Sequence, residues 1–111
     1  LLGHSVGAGA VLLSASRRDD IDVVISVSAF AHPRLMMRRM LKSSRVPDWA
    51  IRLLLRYVQW LIGFDYEDIA PVNTVCTIRC PILLVHGRAG RTVPVGDALM
   101  IARGCPAADI E

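Results

Sequence analysis

The chain opens LLGHSVGAGAVLL (1–13), and within it G-H-S-V-G (3–7) sets a serine between two glycines. Leu1-Leu2 reads as the last step of a buried strand. From Val6 to about Arg17 the Ala/Val/Leu pattern, with Gly7 and Gly9 early, predicts a helix packed close against a sheet. A serine at such a junction is either a nucleophile on a sharp turn or a small residue in a glycine-rich bend.

Beyond the RRDD break, IDVVISVSA (21–29) is β-branched and continuously apolar, which predicts a strand covered on both faces. A helical insertion follows. Pro33 opens one helix, with Leu35, Met36, Met40 and Leu41 as its apolar side, and a second runs from Pro47 to about Ile62. In the second, Asp48, Arg52, Arg56 and Gln59 form one narrow polar stripe, and Trp49, Leu53, Leu54, Tyr57, Val58, Trp60 and Leu61 fill the remaining circumference. A helix so apolar is expected to be buried on most sides, or else to roof an apolar pocket. Residues 63–70 read as a polar connector and 71–78 as a short helix. CPILLVHG (80–87) is the clearest strand, with proline at entry and glycine at exit. The loop RAGRTVP leads to a helix from Val95 to Arg103. Strand, helix, strand, inserted helices, strand, helix is the order of a parallel α/β sheet.

With 111 residues, 53% of them apolar, the chain has the size and composition of one globular unit rather than a disordered segment. It begins on leucine, two residues before a glycine turn, which predicts a piece of a longer polypeptide. Leu1 to Ser16 carries no charged residue, but it holds three glycines, lacks a basic leader and is too short for a membrane span, so no targeting or integral membrane segment is expected. The net charge of +3 is unevenly spread: Arg34, Arg38, Arg39, Lys42, Arg45, Arg52 and Arg56 face a single acid, Asp48, in that region. Such a stretch is either a solvated helical surface or one that favours anionic ligands or lipid headgroups. Without interleaved aromatics it does not form a nucleic-acid platform. Three cysteines, Cys76, Cys80 and Cys105, cannot all pair internally, which fits a reducing, cytoplasmic setting. The C-x3-C spacing has no second ligand pair, so no metal site is expected.

Two chemistries use a glycine-rich turn between strand and helix. In G-x-S-x-G the serine projects above the sheet and the next backbone N–H points at an oxyanion. In the other, glycines admit a dinucleotide pyrophosphate to the helix N-terminus. Gly3, Gly7 and Gly9 also spell G-x-x-x-G-x-G, which resembles the short-chain dehydrogenase fingerprint and would imply NAD(P) binding. That family's Y-x-x-x-K is missing: Tyr57 and Tyr66 are followed four residues on by Leu61 and Ala70.

CPILLVHGRAGRTVP (80–94) resembles the penultimate sheet strand of α/β-hydrolases, where a strand ends in His-Gly and the chain reaches Val-Pro after a short loop. With GHSVG, the cap-like insertion and EDIAP (67–71), the chain resembles the C-terminal part of α/β-hydrolases of the serine aminopeptidase and esterase type. The resemblance implies a partial α/β-hydrolase fold, parallel strands with a helical cap: nucleophile elbow, helix and following strand in 1–31, cap insertion in 32–66, and acid-loop strand and helix in 67–111. It implies a serine hydrolase acting on a small-molecule acyl ester or amide, with no cofactor. Ser5 is then the nucleophile, the N–H of Val6 an oxyanion donor, and Gly3 and Gly7 positions where a side chain would collide across the elbow. The acid position, four residues after His86, is occupied by Gly90. Asp97 would serve only by another loop path. The catalytic histidine, last in this fold, does not occur before Glu111. His4 is expected to point into the packing beneath the turn, while His86 and His32 are expected to be structural. As it stands the chain is expected to be inactive alone. A different class of reading is a non-catalytic hydrolase relative that binds an apolar ligand or a partner in its cap.

Overall fold

The computed structural model describes residues 1–104 and the backbone of 109–110; Cys105 and Glu111 lie outside the described residues. Four parallel strands, β1 (Leu2–His4), β2 (Val24–Val27), β3 (Ile82–Val85) and β4 (Asp109–Ile110), lie side by side in chain order. Leu2 pairs with Ile25 and Val24 with Ile82, so β1, β2 and β3 end level at His4, Val27 and Val85.

Helix α1 (Val6–Ser16) follows β1 and buries Ala8, Leu12 and Ala15 against Val24 of β2 and Ile82 and Leu84 of β3. After the cap, α5 (Pro71–Thr74), a 3₁₀ turn (Val75–Thr77) and α6 (Val95–Gly104) add Val75 and Ile101 to the same core. Residues 24, 26, 82 and 84 are buried, while 25, 27, 83 and 85 are half-buried. The strands are thus covered on one face by the described residues, not on both. Alternation in a strand sends neighbours to opposite faces, and α1, α5 and α6 lie on the side of Gly3, Ser26 and Leu84. The same alternation corrects the expectation for His4. Leu2 and His4 are exposed and only Gly3 between them is buried, so the imidazole faces away from α1 instead of into the packing beneath the turn.

The insertion forms α2 (Pro33–Ser43), α3 (Asp48–Ile62) and the single turn α4 (Tyr66–Ile69). Its small core is Ile51, Leu55 and Tyr66, with Met37, Leu41, Val46 and Val58 against it. On α2 it is therefore Met37 and Leu41 that pack inward, whereas Leu35 and Met40 are exposed. The segment 63–70 is more than a polar connector: Tyr66 is buried and its hydroxyl donates to the Leu55 carbonyl at 3.0 Å, tying α4 to α3. Burial raises the Tyr66 phenol above its ordinary value, with the nearby Arg34 charge opposing this. The largest departure is α3 itself, which buries only Ile51 and Leu55 and leaves Trp49, Leu53, Tyr57, Trp60 and Leu61 exposed.

Candidate active site

Ser5 stands between β1 and α1 with φ 55° and ψ −116°, a backbone conformation that residues with a Cβ rarely adopt. A serine before a helix is ordinarily an N-cap: extended backbone, with the hydroxyl accepting from the first turn. Ser5 does neither, because its hydroxyl makes no capping bond. The main chain is instead held on both sides. Its N–H donates to the Val27 carbonyl at 2.9 Å, and its carbonyl accepts from Ala8 and Gly9 at 3.1 and 3.4 Å. Strain carried by a tightly held residue whose side chain does no structural work points to a role for that side chain.

The corner closes because position 3 has no side chain. A Cβ on Gly3 would lie 2.2 Å from the Gly7 carbonyl oxygen and 2.9 Å from the Ala8 nitrogen, all backbone atoms that cannot swing aside. At Gly7, by contrast, a Cβ would meet nothing within 4 Å, so the expected collision exists at one of the two glycines only. Gly7 contributes its carbonyl to the crowding and has open space on its own side. Gly3→Ala is expected to lower stability by about 2–3 kcal/mol, as overpacking against rigid neighbours does, whereas Gly7→Ala, inside α1 with open space at its Cβ, is expected to raise it by up to about 1 kcal/mol. Urea unfolding of the two variants measures the contrast.

The strand ends bring further residues to the same edge. The Ser28 N–H donates to the Val85 carbonyl at 2.7 Å, as Ser5 does to Val27, so the parallel ladder runs one step past each strand. Ser5, Ser28 and His86 consequently stand in a row at the carboxyl ends of β1, β2 and β3, the edge where open α/β sheets bind ligands. Ser28 also has positive φ, 57°. Its place in the row comes from strand register, and nothing in the local sequence singles it out.

The loop after β3 is closed on itself. His86 Nε2 lies 2.8 Å from the Val93 carbonyl oxygen and donates to it, leaving the buried Nδ1 with no hydrogen-bond partner among the described residues. The Gly90 N–H donates to Gly87 at 3.2 Å. A Cβ on Gly90 would lie 2.4 Å from that same Val93 oxygen. An aspartate at this position would therefore require the turn to open, so the sequence and the loop geometry agree that no carboxylate stands there.

Asp97 does not take over that part. It is 1% exposed, accepts from the Ala31 N–H at 3.0 Å, and both its oxygens lie 2.9–3.0 Å from Arg39 Nη1. Its acceptor capacity fastens α2 to the ends of β2 and α6. His32 is equally occupied, with Nδ1 accepting from the Arg34 N–H and Nε2 3.0 Å from Glu67 Oε1. Among the described residues no His/Cys/Asp/Glu group could hold a metal ion, and no helix is long and apolar enough to cross a membrane. Tyr57 and Tyr66 lie on the cap helices, remote in sequence from the glycine turn, and the Tyr66 hydroxyl is spent on Leu55, which gives a dinucleotide site no support.

No family model matches the chain, and no curated protein matches it. Solved structures do. The chain is similar to the esterase domain of a Rhodothermus marinus protein, at TM-score 0.69 and 19% identity over 100% of this chain and 46% of that one. It is similar to Pyrococcus horikoshii acylaminoacyl peptidase, at TM-score 0.70 and 16% identity over 100% of this chain and 18% of that one. An esterase of Pyrococcus furiosus superposes at TM-score 0.65 and 18% identity, over 99% of this chain and 42% of its own. The chain thus spans less than half the length of each of these structures.

Proposed function

From a chain that folds as part of an α/β-hydrolase, we propose that these residues supply the nucleophile side of a serine hydrolase acting on a small-molecule acyl ester or amide. Ser5 attacks the acyl carbonyl. Its proton leaves to a general base, the tetrahedral oxyanion is held by the N–H of Val6, and collapse expels the alcohol or amine to leave an acyl-Ser5 ester, which water hydrolyses. The observation that carries this reading is the strained, uncapped corner at Ser5. A buried turn has no use for a serine in that conformation, whereas an attacking oxygen gains from standing clear of the helix it precedes.

The base is proposed to lie outside the described residues, and the acid to be missing. His32 and His86 are engaged elsewhere and His4 faces away from α1. Gly90 offers no carboxylate, and a serine hydroxyl without a base is a weak nucleophile. The 111 residues alone are therefore expected to give no burst with p-nitrophenyl butyrate. In the protein that carries this chain, turnover of that ester is expected to fall on Ser5→Ala and to persist on Ser28→Ala. Undiminished turnover by Ser5→Ala would refute the reading.

A further inference from the structure

The cap helices present a surface that the proposed chemistry does not use. On α3, Ile51, Leu55 and Val58 turn toward the cap core, while Trp49, Leu53, Tyr57 and Trp60 fall within about 80° of one another on the reverse side. These four are 68%, 60%, 57% and 76% exposed. The helix thus has two apolar faces, one packed and one bare, and a contiguous bare face of this kind marks an interaction site.

Beside it runs a row of cations. Arg34, Arg38, Arg52 and Arg56, with Trp49 and Leu53, line a cleft of about 660 Å³ between α2 and α3. The ion pairs among the described residues are Arg18–Asp20, His32–Glu67, Arg39–Asp97 and Arg79–Asp19, so all four cleft arginines lack a carboxylate partner. Asp48 is the only acid between residues 34 and 62. Unneutralised guanidiniums call for an anionic occupant. Bare indole and phenol rings beside them call for one that is apolar just beneath its charge.

We infer that this face of α2 and α3 docks on an anionic lipid bilayer, lying in the headgroup plane with Trp49, Leu53, Tyr57 and Trp60 inserted and the four arginines on lipid phosphates and carboxylates. Trp and Tyr favour the boundary between headgroups and acyl chains, and arginine reaches headgroups while its methylenes stay in apolar surroundings. At 15 residues, about 22 Å, α3 is long enough to lie on a bilayer and too short to span one. A bilayer meets both features at once, with phosphates at the depth of the guanidiniums and an apolar layer directly beneath for the rings. The inference stands independently of whether Ser5 is reactive.

The chain contains two tryptophans, both on this face, so its intrinsic fluorescence reports on the contact directly. The experiment titrates the protein with phosphatidylcholine vesicles, with or without about one third phosphatidylserine, at low salt. Co-sedimentation and a blue-shifted tryptophan emission are expected with the anionic vesicles only, together with quenching by lipids brominated on the acyl chain. Changing the four cleft arginines to glutamine is expected to weaken partitioning roughly fivefold per charge, several hundredfold in all. Leu53→Ser with Tyr57→Ser is expected to abolish the blue shift while leaving the circular dichroism unchanged, since both side chains are exposed. No partitioning, equal partitioning to neutral vesicles, binding without quenching, or full binding by the arginine variant would each overturn the inference. Capture by an acidic protein without any vesicle binding would also overturn it.

Discussion

Ser5→Ala is expected to lower ester turnover by the protein that carries this chain about a hundredfold, less than the same change in an intact serine triad. The size follows from what Gly90 has already removed. In serine proteases, loss of the nucleophile costs on the order of 10⁶ in turnover, and loss of the acid alone about 3 × 10⁴. These groups act as a unit, so their losses do not multiply. If Gly90 stands at the acid position, as proposed, with its loop shut on the Val93 carbonyl, only the remaining factor, roughly 10², is left for Ser5 to supply. A kcat measurement on the two proteins decides the size. A drop near 10⁶ would mean that a carboxylate from elsewhere completes the centre. No drop would remove Ser5 from the chemistry.

Arg39→Leu is expected to be the most damaging substitution for the fold, at about 3–4 kcal/mol, because it strands a carboxylate. Asp97 is 1% exposed and would keep only the Ala31 N–H, at 3.0 Å. The reverse change is milder. The Arg39 side chain is 41% exposed, so in Asp97→Ala its guanidinium swings into water and the loss is about 2 kcal/mol, mostly the unsatisfied Ala31 N–H. The double variant should be more stable than Arg39→Leu alone, since the stranded charge is gone. Denaturant melts of the three variants check the order, and a double variant less stable than either single would contradict it. This pair ties α2 of the cap to α6 of the body, while the His32–Glu67 contact joins the two ends of the insertion.

What could be read from the sequence was whatever is encoded over a few residues. Gly3 and Ser5 mark the corner through their spacing, although Gly7 proved to have room for a side chain. The β-branched run around Val24–Val27 and the Pro-to-Gly span around Ile82–Val85 marked the two central strands, though each is shorter than its apolar run. The Asp97–Arg39 bond joins residues 58 apart and has no local signal. Hydropathy did not say which of the two faces of α3 would be covered, because both are apolar, Ile51 and Leu55 on one and Leu53 and Trp60 on the other. The placing of Ser28 and His86 beside Ser5 needed strand register. The shut loop at Gly90 was invisible as well: a glycine in sequence states that a carboxylate is missing, and only the structure states that there is no room for one.

The most direct measurement is to treat the protein that carries this chain with an excess of a fluorophosphonate and to locate the adduct by peptide mass. The expected result is one phosphonyl group on the tryptic peptide ending at Arg17, absent from Ser5→Ala and formed slowly for want of the acid. A phosphonyl group on any other peptide, or an equal adduct on Ser5→Ala, would contradict the assignment of Ser5 as the attacking oxygen.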